Sequence, residues 1–120
     1  MASPEDIETL AGGWLSLPEL AAAIGETQST LRQWVREGRL VTLPRGARSV
    51  QSVPADLVRS GSLVRGLAST LTVLADAGFA PIEALAWLLR FDEPLGGRPV
   101  DLMAEGRDVA VRRRAIMLAL

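Results

Sequence analysis

No cysteine, histidine or lysine occurs among the 120 residues, and each absence removes a class of chemistry. Without cysteine the chain forms no disulfide and no thiolate zinc site. Without histidine it lacks the commonest metal ligand and general base. Its acids are scattered and it has no glycine-rich phosphate loop; Gly12-Gly13 and Gly96-Gly97 read as turns. A non-enzyme without metal or other cofactor is expected. No stretch reaches the roughly eighteen uncharged apolar residues of a membrane helix. The opening MASPEDIETL is acidic, with no basic segment ahead of an apolar run. The expectation is a cytoplasmic protein with no membrane partner.

What is present is 48% apolar residues, enough to fold one domain or two small ones sharing a core. All thirteen basic residues are arginine, which with the Ala, Leu, Gly and Val excess points to a GC-rich bacterial genome. The net charge of −1 hides an asymmetry. Residues 1–27 carry five acids and no arginine, residues 28–65 seven arginines and two acids, and residues 66–120 six arginines and seven acids. Arginine clustered in one third of a chain is the electrostatic footprint of a polyanion-binding face, although a solvated surface has the same composition.

Local patterning separates these two. Ser16 can cap a helix, with Glu19 closing a capping box, and Leu17, Leu20, Ala21 and Ile24 then share a face up to Gly25. Thr27 can cap a second helix, over 28–37, in which Leu31, Trp34 and Val35 form the apolar stripe before Gly38. Two short helices across a three- or four-residue turn have the layout of a helix-turn-helix. Counted from Leu17, positions one, four, eight, fifteen and eighteen are apolar, the fifth is Ala21 and the ninth Gly25; Glu26 at the tenth departs from the usual apolar residue. The helical phase sends Gln28, Ser29, Arg32, Gln33 and Arg36 away from the core, with Thr27 and Arg39 at the two ends. Arginine can pair with guanine and glutamine with adenine in the major groove.

Beyond Gly38 the pattern becomes extended. Leu40–Leu43 and Arg48–Val53 read as the strands of a β-hairpin whose turn is Pro44-Arg45-Gly46-Ala47, with Arg45 and Arg48 at the tip and a short helix from Pro54. The stretch WLSLPELAAAIGETQSTLRQWVREGRL, the hairpin after it and VPADLV resemble the winged helix-turn-helix of the excisionase and MerR-like group. With LTVLADAGF and DLMAEGR included, residues 14–120 are similar to small actinobacterial winged-helix DNA-binding proteins. The resemblance implies double-stranded DNA as partner and a role in transcription regulation, on the nucleoid. It places Gln28, Ser29, Arg32, Gln33 and Arg36 in the groove and the wing, 44–48, on backbone or minor groove through Arg45 and Arg48.

The expected fold is mainly α: a disordered acidic tail at 1–13, a winged helix-turn-helix at 14–62, and a C-terminal helical bundle at 63–120. In that bundle Leu67, Leu71, Leu74 and Ala75 line one helix, Ile82, Leu85, Ala86 and Leu89 the next, and Leu102 and Met103 a short third. The last helix, to Leu120, carries two apolar stripes, Val109/Ile116/Leu120 and Val111/Ala115/Leu118. Two stripes need two partners, so a homodimer or another protein is expected there. GRPVDLMAEGR distantly resembles the C-terminal domain of bacterial antitoxins, which keeps open a protein-interaction module with autoregulatory DNA binding. Arg112, Arg113 and Arg114 point in three directions and read as solvated or ion-paired. Trp14, Trp34 and Trp87 read as packing residues. Thr9, in the acidic tail, is a candidate for phosphorylation, which would oppose DNA binding through added negative charge.

Overall fold

The computed structural model describes residues 4–120, with side chains from residue 6 onward. The capping signals form as read. Ser16 Oγ accepts the Glu19 amide (3.3 Å) while Glu19 Oε1 accepts the Ser16 amide (2.8 Å), opening a helix over Leu17–Ile24. The Ser16 partners hold the Glu19 carboxyl below its ordinary range. Gly25 stops that helix in the left-handed conformation, at φ 72°. Thr27 Oγ1 then accepts the Thr30 amide (3.1 Å) and starts a helix over Gln28–Arg36, with Glu37 as its last half-turn.

The first departure lies upstream. Pro4–Leu10, inside the segment expected to be a disordered tail, is a helix, α1; residues 1–3 of that segment lie outside the described residues. Ile7 is completely buried and Leu10 and Ala11 pack on the core, giving the i, i+3, i+4 stripe that docks a short helix. A second departure is a strand at Trp14–Ser16, β1, too short for alternation to reveal. In order, the remaining elements are α2 (Leu17–Ile24), α3 (Gln28–Arg36), β2 (Leu43–Arg45), β3 (Val50–Pro54), a single 3-10 turn at Ala55–Leu57, β4 (Val58–Arg59), β5 (Ser62–Leu63), α4 (Leu67–Asp76), α5 (Pro81–Leu89), α6 (Pro99–Ala104) and α7 (Asp108–Met117). The fold is mixed: mostly helical, with two small antiparallel sheets.

The larger sheet has the order β1-β3-β2, so the hairpin expected after α3 gains a third strand. Its register also differs from expectation. Pro44 pairs with Gln51 and Arg45 with Val50, which moves the turn to residues 46–49. Proline is tolerated because β2 is an edge strand. Arg45 therefore lies in the strand, and Arg48 in the turn.

One continuous apolar cluster runs from Leu20, Leu31, Leu40, Val53 and Leu57 into Leu74, Leu85, Leu88, Val100, Met103 and Val111. No gap in packing marks the expected boundary near residue 62. Two ion pairs cross it too: Asp56 Oδ2 meets Arg98 Nη1 (3.1 Å) and Asp101 accepts from Arg59 (2.8 Å), while Asp56 Oδ1 also takes the Gly12 amide (2.8 Å) and Asp101 also takes Arg98 (2.9 Å). The Arg98 guanidinium, helped by Arg59, pushes the Asp101 carboxyl below its ordinary range.

Helices α4 to α7 pack on one another, and α1 packs on α5. Leu67, Leu71 and Leu74 are buried as expected of α4, whereas Ala75 is exposed. Of the two stripes of α7, Val111 and Ala115 are buried with Leu118 against them, and Val109, Ile116 and Leu120 remain exposed. Arg112 pairs with Asp108 (3.3 Å) and Arg114 with Asp92 (3.0 Å), while Arg113 faces solvent.

The start of α4 sits tightly against the start of α7. Gly66, at φ 82°, starts α4 where an added Cβ would come within 2.8 Å of Asp108 Cβ. Gly66→Ala should therefore destabilise the fold by roughly 1–3 kcal/mol from the left-handed conformation, with the clash in addition. Urea unfolding reads this directly; an unchanged midpoint would mean the two helices sit farther apart.

Candidate nucleic-acid interface

α3 divides along its length. Leu31 is buried and Trp34 and Val35 are half-buried, and these residues fix the helix on the core. Gln28, Ser29, Arg32, Gln33 and Arg36 are all exposed, as their helical phase requires. The expected set thus shares one solvent-facing surface. Its side chains are tied to each other: Arg32 Nη2 donates to Gln28 Oε1 (3.4 Å), Arg36 Nη2 to Gln33 Oε1 (2.6 Å), and Gln33 Nε2 to Glu37 Oε2 (2.9 Å). Such links hold long side chains upright at little further cost in rotamer entropy. Thr27, at the head of α3, is exposed, but its oxygen is occupied as the helix cap.

The seven arginines of residues 28–65 fall into two groups. Arg39 pairs loosely with Glu37 (3.6 Å) and lies over the Trp34 ring (5.1 Å). Arg59 pairs with Asp101, and Arg65 with Asp108 (3.6 Å). Arg45 is held most firmly: Glu8 of α1 takes both its Nε (3.0 Å) and Nη2 (2.6 Å), and its guanidinium stacks 4.1 Å from the centre of the Trp14 ring. Among the described residues Arg32, Arg36 and Arg48 have no carboxylate partner. The arginine expected at the hairpin tip with Arg48 is instead a clamp between the hairpin and α1. Thr9 is exposed on α1, beside Glu8.

Between α3 and the hairpin lies a concavity of about 310 Å³, lined by Leu17, Arg32, Val35, Arg36, Thr42 and Gln51. Thr42 Oγ1 donates to Gln51 Oε1 (2.8 Å) on its hairpin wall. Neither residue stood out in the sequence. Their signal was slight: Thr42 is the polar member of the run LVTL, and Gln51 is one of three polar residues in SVQSV. Among the described residues no group of acids could hold a metal ion, and no helix is long and apolar enough to cross a membrane.

Residues 64–119 match the Rv2175c C-terminal domain of unknown function. The chain is 32% identical over 115 aligned residues to DNA-binding protein Rv2175c of Mycobacterium tuberculosis (strain ATCC 25618 / H37Rv), covering 86% of this chain and 78% of the relative. It belongs to the Rv2175c family. The NMR structure of Rv2175c matches all of this chain and 86% of its own, with a TM-score of 0.76 at 27% sequence identity. Membership of the Rv2175c family fits the actinobacterial resemblance of residues 14–120. The likeness extends over the N-terminal half as well, since the structural match takes in α1, the α2–α3 pair and the hairpin.

Proposed function

We propose that this member of the Rv2175c family binds double-stranded DNA as a winged helix and acts as a cytoplasmic, nucleoid-associated transcriptional regulator. α3 enters the major groove with Gln28, Ser29, Arg32, Gln33 and Arg36, and the hairpin turn at 46–49 lies on the backbone as the wing. The observation that carries this is the sorting of the arginines. The three without carboxylate partners sit on the outward face of α3 and at the hairpin tip, while acids hold the other four. The name of the mycobacterial relative, a DNA-binding protein, supports the same partner. The excisionase and MerR-like resemblance supports the wing.

A salt titration of duplex binding tests this. The log of the affinity should fall linearly with log salt, and Arg48→Ala should weaken binding to all sequences alike and lower the slope by about one unit. Arg45→Ala should leave the slope alone, because Glu8 already neutralises it. Its loss should appear in unfolding instead, at about 1 kcal/mol from the Trp14 stack and the Glu8 pair. Equal slope changes for the two variants would contradict this assignment of Arg45.

A second copy is the proposed partner of α7. Val109, Ile116 and Met117 are 48%, 50% and 60% exposed, an apolar strip that its own core leaves uncovered. A dimer on a pseudo-palindromic site would double the contacts of one module. Sedimentation should show a dimer that Ile116→Arg converts to monomer; a wild type that stays monomeric at every accessible concentration excludes it.

A further inference from the structure

We infer that Arg45 is a masked phosphate contact of the wing and that Glu8 of α1 is its mask, so that the N-terminal helix restrains the affinity of this protein for DNA. The inference rests on the winged-helix reading proposed above and deepens it.

Arg45 is the last residue of β2, opposite Val50 in the register of the hairpin and directly before the turn at 46–49. It stands at the root of the wing, three positions from Arg48. The Trp14 ring supports its guanidinium at 4.1 Å, and Leu43 and Pro44 help to line the small concavity, about 70 Å³, beside it. An aromatic support orients a guanidinium without using its N–H groups. Those are taken by Glu8, with Nε donating to Oε1 (3.0 Å) and Nη2 to Oε2 (2.6 Å).

Two oxygens of one anion on the fork of a guanidinium is also the geometry in which arginine takes a phosphate. Glu8 fills the place a backbone phosphate would use. The Glu8 side chain is 52% exposed, so solvent screens the pair and its chief effect is to cancel a charge at the wing rather than to hold the fold. A phosphate that displaced Glu8 would leave the freed carboxylate to collect a cation from solution, and no net counterion would be released. With Glu8 neutral, the same contact would release one.

The other carboxylates that hold arginines of residues 45–65 are placed differently. Asp101 is shared by Arg59 and Arg98, and Asp108 by Arg65 and Arg112, so each ties several segments together. Among the described residues Glu8 pairs with Arg45 alone. It is also held from behind, because the neighbouring Ile7 is completely buried and α1 packs on α5. The C-terminal half of the fold thus presents this carboxylate to the hairpin.

The test is a double-mutant cycle on the full chain, with salt titrations on a duplex selected with the wild type and on a scrambled one. Glu8→Gln, which keeps the size and one acceptor and removes the charge, should tighten binding to both duplexes by roughly three- to tenfold at about 0.1 M salt. The slope of log affinity against log salt should steepen by about one unit. Adding Arg45→Ala to Glu8→Gln should return both quantities to the wild-type values. Glu93→Gln removes an exposed carboxylate elsewhere and should change little, which separates the mask from net charge. Glu8→Gln should melt close to the wild type.

An unchanged slope in Glu8→Gln, or a gain that survives Arg45→Ala undiminished, overturns the inference; the DNA-binding reading then stands if Arg48→Ala still lowers the slope. A wild type without salt-dependent duplex binding overturns both.

Discussion

Alanine at Arg32 or Arg36 should cost about 1–3 kcal/mol in affinity for a selected duplex if each reads a base, and should relax preference at the position it contacts. The two side chains lie four residues apart on the exposed face of α3, so one groove admits both. Among the described residues neither is ion-paired to a carboxylate. Equilibrium binding to the selected duplex and to a scrambled one separates the two losses. The scrambled duplex should lose less, because only the phosphate attraction is common to both. Wild-type affinity in both single variants would reduce these arginines to a solvated face.

Ile7→Ala should destabilise the whole chain by about 2–5 kcal/mol, the range for emptying a fully buried aliphatic site. The size of the effect follows from where α1 docks. It packs on α5 in the C-terminal half and presents Glu8 to Arg45 in the hairpin, so one small helix touches both halves. Loosening it should also free Arg45 and raise the salt slope of duplex binding. Denaturant unfolding of Ile7→Ala beside the wild type measures the first effect. An unchanged midpoint would return residues 4–10 to the disordered tail.

The α2–α3 pair could be read from residue order alone because its determinants are local. Ser16 with Glu19 and Thr27 with Thr30 act across three residues, Gly25 acts at its own position, and each cap forms. The hairpin was legible as a hairpin but not in register. Pro44 looks like a turn residue, and only its place on an edge strand explains why it pairs. α1 escaped notice because its apolar stripe is short and set among acids.

The site was legible to the same degree. Helical phase places the five side chains of α3 correctly on its solvent face. Which arginines remain available is decided by partners far along the chain: Glu8 for Arg45, Asp101 for Arg59 and Asp108 for Arg65. No local pattern encodes such pairs. The same holds for the two stripes of α7, of which the fold buries one and leaves the other exposed.

Chemical-shift mapping of the backbone amides during titration with a selected duplex tests the placement of α3 and the hairpin most directly. Shifts should concentrate in Gln28–Arg36, in the turn at 46–49 and at Gln51, with α5 and α6 unmoved. A duplex that shifts only α7 and its neighbours, or no residue at all, would contradict the interface described above.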